Sequence, residues 1–295
     1  MLFKDRPYQF QPAALPESVD RVITDLRYAP GDKHLVDLYL PKGSGPFPVV
    51  IDIHGGGLLR GRKSSNKAEP SLKFTAAGFA VVSMGYTLNR AGANDFPNQV
   101  AEVRAVCDLC QQVAEQYNLD MDQLNLVGES SGAQLAVLAA ATFSKGAALG
   151  SLPGVSFGST FPKISHVIGL YGPYQVDQFP EQFAALGIKP NFPETGGPES
   201  FEGIMLDEHR PSEVPDLVAA ANPATYFTKR MPPLMLIAGT ADAVVPYVQS
   251  VNLAKAYEEK TGRPATTIWV PGGHHGTADF DNPEIYQAKV EFLES

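Results

Sequence analysis

"DQLNLVGESSGAQLAVLAAATF", residues 122–143, is the stretch whose reading decides the fold. It runs from a short apolar strand through a G-x-S-x-G pentapeptide into an Ala- and Leu-rich helix, with no Pro or further Gly until Gly146. That order has a physical purpose. A nucleophilic serine must stand on a sharp, strained turn between a buried strand and a helix, so that its hydroxyl clears the backbone. The flanking glycines remove Cβ atoms where strand and helix crowd together. The same five-letter pattern recurs as GVSFG, residues 154–158. With 27 glycines in 295 residues, a chance match is expected in roughly one such chain in seven, so the letters alone decide nothing. Context does. Pro153 and Pro162 punctuate the second match and neither flank reads as a helix, which predicts a loop over 154–158. Ser130 is the candidate nucleophile.

The rest of the chain alternates between the two periodicities. Strands are expected at VITDLRY (22–28), HLVDLYL (34–40), FPVVIDIH (47–54), FAVVSMGY (79–86), HVIGLYG (166–172), PLMLIAG (233–239) and TTIWV (266–270). Helices are expected near 66–77, 98–117, after the elbow, near 247–260 and near 283–293. Runs such as VVIDI, AVVSM and LMLIA are apolar on both faces, as strands covered on both sides must be. The alternation predicts a mostly parallel sheet in one doubly covered α/β domain spanning 1–295. Residues 173–222, rich in Pro, Glu and Gly, are too many for a plain connection and read as a cap or lid insertion or a surface excursion.

A serine hydroxyl needs a base, and the base an orienting carboxylate. In hydrolases built on this elbow the order is Ser, acid, His, each partner after a strand. Asp242 follows the strand PLMLIAG, and His274 and His275 follow TTIWV. The strand VVIDI ends in His54, Gly55, Gly56 and Gly57, where a backbone hollow for an oxyanion is expected. The amides of Gly56, Gly57 and Ser131 are its predicted donors. Substrate walls are expected, from position, at Leu58, Tyr86, Tyr171 and Val245. His274, His275 and Asp279 lack a further ligand at metal spacing, so no metal and no cofactor are expected.

Composition excludes other classes. A net charge of −9 argues against a nucleic-acid or anionic-membrane surface, which needs clustered Lys and Arg. No apolar run reaches the length of a transmembrane span, and the N-terminus lacks a signal-peptide core, so a cytoplasmic protein with no membrane partner is expected, or a secreted one if a leader precedes it. The C-x-x-C pair Cys107 and Cys110 lies on an apolar helical stripe with Val100, Val103, Val106 and Val113, and reads as two packed thiols. Monomer and homodimer are equally compatible with the sequence.

The blocks VVIDIHGGG, FAVVSMGYTLN, FPNQVAEVRAV, LVGESSGAQLA, YGPYQVD, ANPATYFTKRMPPLMLIAGTADAVVP and PGGHHG, in that order, resemble those of the α/β-hydrolase superfamily. The resemblance covers roughly residues 20–290 and is greatest to the feruloyl-esterase-like carboxylesterases, near the hormone-sensitive-lipase-type esterases. It implies an eight-stranded sheet, Ser130 as nucleophile, Asp242 as acid, His275 rather than His274 as base, and the three oxyanion amides already named. It further implies a carboxylesterase acting on small, short-chain acyl or aryl esters through an acyl-enzyme. An aryl-formamide or thioester hydrolase would use the same residues, and a catalytically silent hydrolase fold used for binding is the non-enzymatic alternative. Leu58 stands where that family favours an aromatic residue, Ser131 where it favours Ala, and Glu102 where it favours Asp.

Overall fold

The computed structural model describes residues 1–295. Its strands are β1 (Val19–Arg27), β2 (Leu35–Pro41), β3 (Phe47–Ile53), β4 (Ala80–Met84), β5 (Leu119–Glu129), β6 (Val167–Leu170), β7 (Leu234–Gly239) and β8 (Thr266–Val270). They form one sheet in the order β1-β2-β4-β3-β5-β6-β7-β8. β2 lies antiparallel to β1 and β4, and every other pairing is parallel. The eight-stranded, mostly parallel sheet is the one expected.

Helices α1 (Glu69–Leu72), α2 (Asn98–Tyr117), α3 (Ser131–Lys145), α4 (Phe179–Leu186), α5 (Phe201–Met205), α6 (Pro215–Ala221), α7 (Val248–Thr261) and α8 (Pro283–Leu293) complete the fold. The period-2 alternation of a strand sends neighbouring side chains to opposite faces. Thus Val49, Ile51 and Ile53 of β3 join a core with residues of α2, α3 and α7, while Val50 joins a second core with residues of α1 and α8. Both faces of β3, β4 and β7 are covered, which is why those strands read as unbroken apolar runs.

The stripe on α2 buries Val100, Val103, Val106, Cys107 and Cys110. Both cysteines are free, and burial pushes the Cys110 thiol up to about 12 and Cys107 up as well, so neither presents a thiolate. Glu102, on the same helix, accepts hydrogen bonds from the Tyr28 hydroxyl at 2.6 Å and the Thr87 amide at 3.0 Å.

Two segments differ from expectation. Residues 66–77 make no single helix but one α-turn between two 3-10 turns. Pro70 lacks the N–H that would continue a helix through it, and Gly78, at φ 84°, stops the chain in a left-handed cap. β5 begins earlier than its apolar core, because Leu119 and Asp120 already pair with Phe47 and Pro48 of β3 before a break in register that leaves Met121–Gln123 unpaired. Residues 173–222 hold α4, α5 and α6 joined by irregular chain, and GVSFG has no regular structure.

Candidate active site

Register places the loops that matter side by side. β3 and β5 are adjacent parallel strands with Ile53 opposite Gly128, so the Gly55–Gly57 loop and the Ser130 turn leave the sheet together at its C-terminal edge. Ser130 sits between β5 and α3 at φ 51°, ψ −124°, a strained position for a residue with a Cβ. β7 and β8, further along the same edge, deliver Asp242 and His275.

These three side chains form a chain of hydrogen bonds. His275 Nε2 lies 2.9 Å from Ser130 Oγ, and His275 Nδ1 lies 2.7 Å from Asp242 Oδ2. Asp242 is buried, and its Oδ1 accepts the amides of Val244 at 2.8 Å and Val245 at 2.9 Å. Both carboxylate oxygens are therefore fixed, and the second is aimed at the imidazole. His274, by contrast, is exposed and turns to Asp279, whose Oδ2 accepts its amide at 2.7 Å and lies 3.3 Å from Nδ1. Adjacent residues point apart, and only His275 reaches the serine.

Gly56 and Ser130 line a cleft of about 210 Å³, with His275 and Tyr171 beside them. The Gly56, Gly57 and Ser131 amides have no protein acceptor, and Ser131 opens α3, whose N-terminus carries partial positive charge. Gly57 and Ser131 are not among the residues lining the cleft. The Ser131 hydroxyl instead accepts the Leu58 amide at 3.2 Å, pinning the glycine loop to the start of α3.

Of the four expected substrate walls, Tyr171 lines the cleft. Its ring packs edge-on against His275 with centroids 4.7 Å apart, and its hydroxyl donates to Glu129 at 2.6 Å. The other three lie elsewhere, because nearness in sequence does not fix the direction of a side chain. Leu58, at φ 59°, turns its side chain into the core beneath the loop. Tyr86 is buried behind the loop; its ring stacks on His54 at 4.2 Å, and its hydroxyl donates to the His54 carbonyl at 2.8 Å. Val245 packs with Phe179, Phe183 and Phe201 of α4 and α5.

The remaining cleft residues carried no signal in the sequence. Phe3, Tyr8, Arg60 and Lys67 form its rim, and Glu129, the first of the pentapeptide's two variable positions, its floor. Beneath that floor Asp52 of β3 accepts the Ser71 hydroxyl at 2.6 Å, and burial pushes its carboxyl up to about 7. Burial likewise lowers the ammonium of Lys289, on α8, to about 8.

An eight-stranded sheet with a strand–serine–helix elbow and this order of partners defines an α/β-hydrolase. Within that class the chain belongs to the BD-FAE family, whose model matches residues 36–257. It is similar to a probable isoprenylcysteine alpha-carbonyl methylesterase of Arabidopsis thaliana, 26% identical over 87% of this chain and 51% of that one. It is similar also to the esterase LipQ of Mycobacterium tuberculosis, 25% identical over 92% of this chain and 61% of that one. The chain thus spans about half to three-fifths of the length of these curated relatives. Among solved structures it resembles a truncated carbohydrate esterase from gut microbiota, with a TM-score of 0.79 and 27% identity over 96% of this chain and 98% of that one.

Proposed function

We propose that this protein is a serine carboxylesterase for small esters, working through an acyl-enzyme. The observation that carries the reading is the unbroken chain from Asp242 through His275 to Ser130, ending in a cleft also lined by Gly56, whose amide is free. Ser130 Oγ attacks the ester carbonyl as His275 Nε2 takes its proton. Asp242 holds the imidazole by Nδ1 and stabilises its charged form. The amides of Gly56, Gly57 and Ser131 receive the oxyanion, each worth about a hundred- to a thousandfold in turnover. The imidazolium then protonates the departing alcohol. Water, deprotonated by His275, releases the acid and restores the serine. The cycle needs no cofactor.

The volume of the cleft favours short acyl or aryl groups, and the esterases and carbohydrate esterase among its relatives make a sugar-borne ester a natural candidate substrate. Residues 173–222 serve as the cap of this site, since Phe179, Phe183 and Phe201 pack on Val245 beside the Asp242 loop.

The test is a panel of p-nitrophenyl acetate and butyrate, the matching thioesters and an aryl formamide, run on the wild type and Ser130→Ala. Short esters should turn over best, and the variant should lose at least about 10⁴-fold in kcat. Faster turnover of the thioesters or the formamide would transfer the assignment to those bonds. No turnover of any of them would leave a silent scaffold.

A further inference from the structure

The first residues of the chain do not trail away from the fold but cross the mouth of the cleft. Phe3 is held on all sides. Its amide donates to the Glu194 carboxylate, and its carbonyl accepts Arg60 Nη2 at 2.6 Å. Arg60 Nη1 donates at 3.0 Å to the Arg6 carbonyl, and the guanidinium lies 3.8 Å from the centre of the Phe3 ring. The ring meets Phe192 edge-on at 5.1 Å and Phe201 at 5.4 Å.

Its underside rests on the oxyanion loop. A Cβ added to Gly57 would stand 2.5 Å from Phe3 Cε1, so the bare face of that glycine is filled by the phenyl ring. The bare side of Gly57 is therefore covered by Phe3.

Two hollows meet at this ring. One is the cleft of about 210 Å³ that holds Ser130 and Gly56; the other, of about 510 Å³, is walled by Phe192, Val244 and His274. Phe3, Arg60 and His275 are common to both. We propose that Phe3 is a specificity-determining residue, a fixed partition above Gly57 that limits the length of the acyl group accepted beside Ser130. The inference rests on the serine-esterase reading above. A residue whose backbone is held by a carboxylate and a guanidinium, and whose ring is packed by that guanidinium and two aromatic rings, keeps its place as substrate enters, so it acts as a wall. Removing the ring joins the two hollows.

The test is kcat/KM across p-nitrophenyl acetate, butyrate, hexanoate and octanoate for the wild type, Phe3→Ala and Phe3→Trp. Because each methylene excluded from a site is worth about 10- to 200-fold, the octanoate-to-acetate ratio should rise at least about tenfold in Phe3→Ala. It should fall in Phe3→Trp, which leaves the partition in place and enlarges it. A ratio unmoved in both variants, or a uniform loss on every ester, overturns the partition. Fluorophosphonate labelling of the wild type separates the two claims. With Ser130 labelled, an unmoved ratio sinks only the role of Phe3; with Ser130 unlabelled, the esterase reading fails and the partition with it.

Discussion

GESSG and GVSFG share a pattern letter for letter, yet they are held by different physics. At 128–132 both glycines are required by contact. A Cβ on Gly128 would stand 2.2 Å from the Gly132 carbonyl oxygen, and one on Gly132 would stand 2.0 Å from that of Ile53. Between them Ser130 is forced to φ 51°. At 154–158 nothing lies within 4 Å of a Cβ on Gly158, and Ser156 is exposed. That loop is shaped from outside by Arg104 of α2. Its guanidinium lies over Phe157 at 4.6 Å and Phe161 at 4.3 Å and donates to the carbonyls of Gly158 and Thr160. A motif is therefore a statement about sterics. Glycine is obligatory where two backbones cross and incidental at Gly158, where the loop faces water, even though Gly154 holds a left-handed φ of 78°.

The contrast can be broken most forcefully at Gly132. Gly132→Ala drives a methyl into the backbone of β3, and stability should fall by about 4 kcal/mol or more, with Tm lower by roughly 10 °C. Gly158→Ala, the matching change in the second pentapeptide, should stay within about 0.5 kcal/mol of the wild type. Thermal melts of the pair decide the matter, and equal losses would show that the two glycines are used alike.

A second test lies beside the elbow, where the carboxyl of Asp52 is buried next to Gly128 and Glu129. Its folded value of about 7 exceeds the unfolded carboxylate value near 4, so the folded protein binds the extra proton between them. That contribution to stability is fully present below about pH 4 and is lost as pH rises to about 7. Asp52→Asn removes the titration. The variant should gain about 2–4 kcal/mol relative to the wild type on going from pH 4.5 to pH 8, as read from urea melts. A difference independent of pH would mean that Asp52 is not the group taking up the proton.

What could be read from the sequence follows the same division between local and distant causes. α2, β8 and α8 match their expected limits, and β3, β4 and β7 were readable because both faces of each are covered. The order of Ser130, Asp242 and His275 was readable because each follows its own strand, and parallel strands end at one edge. Side-chain directions were not. Leu58 and Tyr86 adjoin the glycine loop and its neighbouring strand, but a left-handed turn buries the first and a stack on His54 holds the second behind the loop. The arm at Phe3 was hidden for another reason. It has no periodicity of its own, and the carboxylate that accepts its amide lies 191 residues away.

The central claim is that the strained turn at 128–132, and not its lookalike, carries the nucleophile. It is tested most directly by labelling the purified protein with a fluorophosphonate and locating the adduct by peptide mass spectrometry, with Ser130→Ala alongside. A single adduct on Ser130, absent from the variant, is the expected result. An adduct on Ser156, or labelling that persists in Ser130→Ala, would contradict it.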